Sequence, residues 1–124
     1  MFTVINGLPE PVLGILISGK TTTEDYDRLN PIMEQYEQQH NHIKMLVEIS
    51  ELNYTIGALW EDIKFGFKHL KAITAIAIVT DKKWLEESLE AFGSIMPGIV
   101  AEGFESHEVE KAIEWLENNG LEDA

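Results

Sequence analysis

The run AITAIAIVTD, residues Ala72–Asp81, limits what this chain can fold into more than any other stretch. Ile73, Ala75, Ile76, Ala77, Ile78 and Val79 are apolar, and Thr74 is the one polar interruption before Thr80. A strand with one wet face would alternate, and an amphipathic helix would carry charge every few residues. A short β-branched run of this kind is a strand covered on both faces, which belongs inside a mostly parallel α/β sheet. The reading places it at the middle of that sheet. The polar Thr80-Asp81-Lys82-Lys83 then marks the carboxyl end of the strand, where open α/β sheets bind their ligands.

The rest of the chain supplies the partners of that strand. Phe2–Ile5 and Val12–Ser18 are short strand patterns separated by the turn cluster Asn6–Pro11. The first is expected to be an antiparallel edge. Thr21–Thr23 followed by Glu24-Asp25 reads as a helix N-terminus. Tyr26, Leu29, Met33, Tyr36 and His40 continue that helix on one face. Pro31 is expected to kink it, or Asn30 to cap a second segment. Ile43–Ile49 is a strand. Tyr54 or Thr55 opens a helix whose apolar arc holds Ile56, Leu59, Trp60, Ile63, Phe67 and Leu70. After the Ala72–Asp81 strand, Trp84, Leu85, Ser88, Leu89, Phe92, Ile95 and Met96 share a helix face that Pro97-Gly98 ends. Ile99–Phe104 is a last strand. Ser106 is expected to cap a last helix, with Val109, Ala112, Ile113 and Leu116 inward and Gly120 at its end. The sum is β-β-α-β-α-β-α-β-α: one α/β domain over residues 1–124, with a mostly parallel five-stranded sheet and helices packed on it.

Composition narrows the function. Nine Lys and Arg stand against 22 Asp and Glu, for a net charge of −13. Nucleic acid is therefore not an expected partner, because phosphates reward clustered cations. Electrostatic docking on anionic lipid is disfavoured for the same reason. There is no cysteine, so disulfide and thiolate chemistry are excluded. The opening MFTVINGLPEP has neither the basic nor the apolar region of a secretory signal, and a cytoplasmic location is expected.

No nucleophile accompanies Asp81 and Lys82, and no GxSxG, Walker A or GxGxxG sequence is present. Asp81 reads as a helix cap rather than a base. His40 and His42 form a His-x-His pair, two ligands where a metal needs three or four, so no metal site is assigned. The expectation is a non-enzymatic protein without a cofactor.

The element order resembles the SpoIIAA-like family, a branch of the STAS-type fold of bacterial anti-sigma-factor antagonists. The residues carrying the resemblance are Gly19 with Thr23-Glu24-Asp25-Tyr26, Leu46-Val47-Glu48-Ile49, Trp60-Glu61-Asp62 with Lys64-Phe65-Gly66, Asp81 with Trp84-Leu85, and Ala112 with Trp115-Leu116. The resemblance implies a (β/α) superhelix that is also similar to the CRAL-TRIO lipid carriers. It implies binding of apolar molecules and membrane association as the family's proposed activities. The STAS regulators carry a phosphorylated serine in an Asp-Ser pair. Here the corresponding stretch reads Glu51-Leu52-Asn53-Tyr54-Thr55-Ile56-Gly57, without that pair. Thr55 and Ser50 are the nearest hydroxyls for such a switch.

Two sets of residues are then candidates for binding. Trp60, Ile63, Phe67, Trp84, Leu85, Leu89, Phe92 and Met96 line the apolar faces of two successive helices. Such stripes are core by default. Their width and two of the chain's three tryptophans point to an apolar, lipid-like ligand, or peripheral membrane contact, between those helices. Phe65 falls opposite the core arc, among Glu61, Asp62, Lys68 and His69. It is expected to be exposed and to contact a second subunit, a protein partner or a membrane, with a homodimer as the first expectation. The alternative class is a signalling antagonist that binds a partner protein and is phosphorylated at Thr55 or Ser50.

Overall fold

The structure is a computed structural model that describes residues 1–95 and 99–119. Met96, the Pro97-Gly98 helix stop and the Gly120 helix end lie outside the described residues. Strand β1 (Phe2–Ile5) and strand β2 (Val12–Gly19) are followed by helix α1 (Thr23–His40) and strand β3 (Ile43–Leu52). Helix α2 (Ile56–Gly66) and a single 3-10 turn (Leu70–Ala72) lead into strand β4 (Ile73–Thr80). Helix α3 (Lys82–Ile95), strand β5 (Val100–Glu105) and helix α4 (Val109–Asn118) complete the order. The sheet has five strands in the order β1-β2-β3-β4-β5. β1 is antiparallel to β2, and every other pair is parallel.

β4 is apolar on both faces as its sequence demands, but it is not the middle strand. That place belongs to β3, with β4 between β3 and β5. Alternate residues of β4 serve two cores of different depth. Ile76 and Ile78 join Leu13, Ile15, Ile17, Met45 and Val47 beneath α1, α2 and α3. Ala75, Ala77 and Val79 join Val12 and Leu46 beneath α4, which contributes Ala112 and Leu116. The larger side chains lie on the three-helix face and the smaller ones under the single helix.

Helix α1 begins with a reciprocal cap. The Asp25 amide donates to Thr22 Oγ1 at 3.3 Å, and the Thr22 amide donates to Asp25 Oδ2 at 2.8 Å. Asp25 also accepts from the Phe2 amide at 3.1 Å and from Arg28 at 2.6 Å, which ties β1 to the helix. Burial raises the cost of its charge. The amide bonds from Phe2 and Thr22 and the Thr22 hydroxyl outweigh that cost and hold its carboxyl below the usual range. Asn41 ends α1 in the left-handed conformation at φ 65°.

Three local expectations are corrected. Pro31 lies inside an α1 that runs unbroken to His40, so Asn30 does not cap a second helical segment. Helix α2 stops at Gly66 rather than near Leu70, and Phe67 is extended backbone. Ser106 does not cap α4. The N-cap position is Glu108, without a capping side chain, and its carboxylate reaches back to the Glu105 amide at 2.9 Å. The Ser106 hydroxyl donates instead to Asp81 Oδ1 at 3.4 Å.

Candidate functional site

Helix α2 lies between α1 and α3 on the deep face of the sheet, and its two seams differ. On the α3 side, Trp60 meets Phe92 edge to face with ring centroids 5.4 Å apart. Trp60, Ile63 and Phe92 are buried. The indole Nε1 of Trp60 and the Oγ of Ser88, which sits one turn before Phe92, are both buried without a hydrogen-bond partner. Buried polar atoms in native proteins are nearly always paired; His40 Nε2 and Thr74 Oγ1 are the other two such orphans among the described residues. Trp84, Leu85 and Leu89 are half-buried. Leu85 and Leu89 lie over β5, where a Cβ on Gly103 would stand 3.1 Å from each of them. The Lys83 ammonium sits 4.8 Å from the Trp84 ring centroid.

Phe67 belongs to the other side of α2. Its ring packs against Phe2 and Tyr26, with centroids 6.2 and 6.0 Å away. The structure therefore brings Trp60, Ile63 and Phe92 together, sets Leu85 and Leu89 over β5, and carries Phe67 to α1.

The α1 seam is polar and satisfied. Asn30, buried in α1, donates from Nδ2 to the Gly66 carbonyl at 2.9 Å and accepts the Lys68 amide on Oδ1 at 3.0 Å. It closes the end of α2 from outside the helix. Gly66 lies against the Tyr26 ring, and a Cβ there would overlap that ring. Above this contact the ends of β2 and β3 meet. Thr21 Oγ1 donates to Asp62 Oδ2 at 3.2 Å and accepts from the phenols of Tyr54, at 2.8 Å, and Tyr26, at 3.3 Å. Burial pushes the Tyr26 phenol well above its ordinary range, and the nearby Tyr54, Asp62 and Asp25 add to that rise. Tyr54 is raised as well, first by burial and then by Asp62. Both phenols therefore stay protonated and act as donors rather than as bases at neutral pH.

All of these groups but Tyr54 and Asp25 line a cleft of about 400 Å³ between α1 and α2, with Thr21–Thr23, Tyr26, Asp27 and Asn30 on one side and Asp62, Phe65, Gly66 and Lys68 on the other. Phe65 stands on its rim at 82% exposure, as the helical spacing predicts. The sequence reading missed the Thr21–Tyr54–Asp62 cluster. Its members come from separate elements and share no spacing, and only the parallel pairing of β2 and β3 joins them.

Thr55 caps α2, its hydroxyl accepting the Ala58 amide at 3.1 Å, and Ser50 donates to the Ile17 carbonyl at 3.5 Å. Both residues are exposed. His40 Nε2 lies 3.7 Å from Glu10 Oε2. No three His, Asp or Glu side chains among the described residues gather to hold a metal ion. No helix among them is long and apolar enough to cross a membrane.

An antiparallel edge strand, four strands in parallel register and helices on both faces define a STAS-type α/β domain. The SpoIIAA-like family model matches residues 12–117, and the chain belongs to that family. A solved structure of an uncharacterised protein from Shewanella loihica PV-4, described as having a SpoIIAA-like fold, superposes with a TM-score of 0.67 at 26% identity. The match covers 94% of this chain and 92% of that one. No curated protein matches the chain. The fold is consistent with a regulatory or binding domain, and the family is generally non-enzymatic.

Proposed function

We propose that this protein is a non-enzymatic binding domain that takes an apolar, lipid-like molecule between α2 and α3. The observation that carries the reading is an orphaned polar atom on each of the two facing helices, Trp60 Nε1 on α2 and Ser88 Oγ on α3, together with the Trp60–Phe92 ring contact between them. The acceptor group of an amphiphile would take a hydrogen bond from such a donor while its chain replaced contacts among Trp60, Ile63 and Phe92. Leu85, Leu89 and Trp84 extend the apolar surface towards β5. Trp60, Ile63 and Phe92 are buried, so a ligand among them requires α3 to move against α2. Delipidated protein titrated with a fluorescent fatty acid is expected to bind in the micromolar range. Failure with every chain length would overturn the reading.

A second reading rests on the exposed hydroxyls of Ser50 and Thr55 at the β3–α2 connection. It makes the protein a signalling antagonist that binds a partner protein and is switched by phosphate at one of these residues. Intact mass after incubation with cell extract and ATP decides it, and the absence of any phosphorylated form removes it.

A further inference from the structure

The ring of Phe65 and the cleft it borders carry an inference that does not depend on a ligand between α2 and α3. We propose that a second copy of this chain docks on this surface about a two-fold axis, with Phe65 of each copy entering the cleft of the other.

Phe65 is the most exposed large apolar side chain among the described residues, ahead of Met1 and Val100. A single exposed phenylalanine is ordinary. This one is exposed and borders a cleft between α1 and α2. Knob and hole therefore share one edge. A two-fold operation brings each knob to the other copy's hole, and the self-complementary contact closes after two copies.

Charge selects the same partner. Two copies each carrying −13 repel, so docking needs local cations. Lys64 and Lys68 flank Phe65, and the Lys64 ammonium lies 5.9 Å from its ring centroid. Asp27 and Asp62 line the cleft, and Lys68 lies on the same lining beside Phe65. None of these four groups forms an ion pair within the chain among the described residues. Across the two-fold axis the lysines of one copy face the carboxylates of the other. An anionic membrane offers no such match, since it would meet the net charge of the chain as well as its two lysines.

The support beneath the ring is already fixed. Asn30 holds the carbonyl of Gly66 and the amide of Lys68, so the segment carrying Phe65 needs little ordering on association.

Sedimentation equilibrium of the full chain, from low micromolar to near-millimolar concentration, tests the proposal. A monomer–dimer equilibrium that weakens with salt is expected. Phe65→Ser should weaken it by about tenfold or more, as for a central aromatic anchor, with the melting temperature unchanged at concentrations where both proteins are monomeric. Lys68→Asp and Asp27→Lys should each weaken it, and the double variant should recover most of the loss. Fatty-acid binding should be the same in all of these variants, which separates this proposal from the ligand reading. A monomer at every concentration overturns it, as does a dimer indifferent to Phe65→Ser. Phe65-dependent binding to phosphatidylglycerol vesicles without self-association also overturns it, in favour of a membrane.

Discussion

The two sides of helix α2 solve the same packing problem in opposite ways. Towards α1, polar atoms are buried and paired: Asn30 spans Gly66 and Lys68, and Thr21 joins Tyr26, Tyr54 and Asp62. Towards α3, ring meets ring, and two polar atoms are buried without partners. A paired polar seam has one geometry that satisfies it, so it fixes register. An apolar seam holding orphans gains from anything that supplies their missing bonds. The difference teaches that α2 meets α1 through paired polar groups and meets α3 through apolar packing, with an unpaired buried polar atom on each of α2 and α3.

The largest effect should come from removing the floor beneath both seams. Ile76→Asp buries an unpaired carboxylate at a cost of several kcal/mol, against a total stability of about 5–15 kcal/mol. Insoluble or unfolded protein is expected in an expression and circular dichroism assay. A soluble variant melting near wild type would remove β4 from the deep core.

Asn30→Ala acts on the polar seam alone. It strips partners from the Gly66 carbonyl and the Lys68 amide, and about 1–3 kcal/mol should be lost in urea unfolding. A neutral result would mean that water replaces both bonds and the seam is not locked.

Alkaline pH separates the seams without mutation. The folded-state pKa of Tyr26 is raised above its unfolded value, so its contribution is fully present below the ordinary tyrosine range. It is lost as pH climbs beyond about 10, the unfolded tyrosine value. Unfolding midpoints should fall there in the wild type and fall less in Tyr26→Phe. Parallel curves for the two proteins would contradict this account.

The smallest effect sharpens the contrast most. Ser88→Ala deletes an orphan rather than a bond, and stability should stay level or rise by up to about 1 kcal/mol. A loss of more than that in urea unfolding would show that Ser88 has a partner in solution.

The chain announced its elements well and their limits less well. Alternation of strand and helix patterns gave the fold, because the burial demands of parallel strands are written in runs such as ITAIAIVT. The centre of the sheet was misplaced because β3 carries Lys44 and Glu48, which hid a strand as interior as β4. Lys44 is nevertheless buried, its ammonium reaching the Glu117 carbonyl at 3.4 Å. Helix α2 read too long because Phe67 keeps the apolar period after the backbone has left the helix. The side chain is still buried, but against Phe2 and Tyr26. Phe65 was legible because exposure follows from helical geometry alone. The orphaned Ser88 and the Thr21 cluster were not, since both depend on which side chains another element brings within hydrogen-bond reach.

The sequential order of the sheet also bears on how the protein is made. Each strand pairs with the one that left the ribosome just before it, so the sheet can lengthen as translation proceeds. The helices of the deep face emerge between those strands and cover it step by step. The shallow face has to wait, because α4, the last described element, supplies Ala112 and Leu116 to its core. Until residues 109–118 are released, Val12, Leu46, Ala75, Ala77 and Val79 lack that cover. A nascent chain stalled before α4 should therefore engage chaperones along one side only, and co-translational crosslinking from Ala77 would catch that engagement.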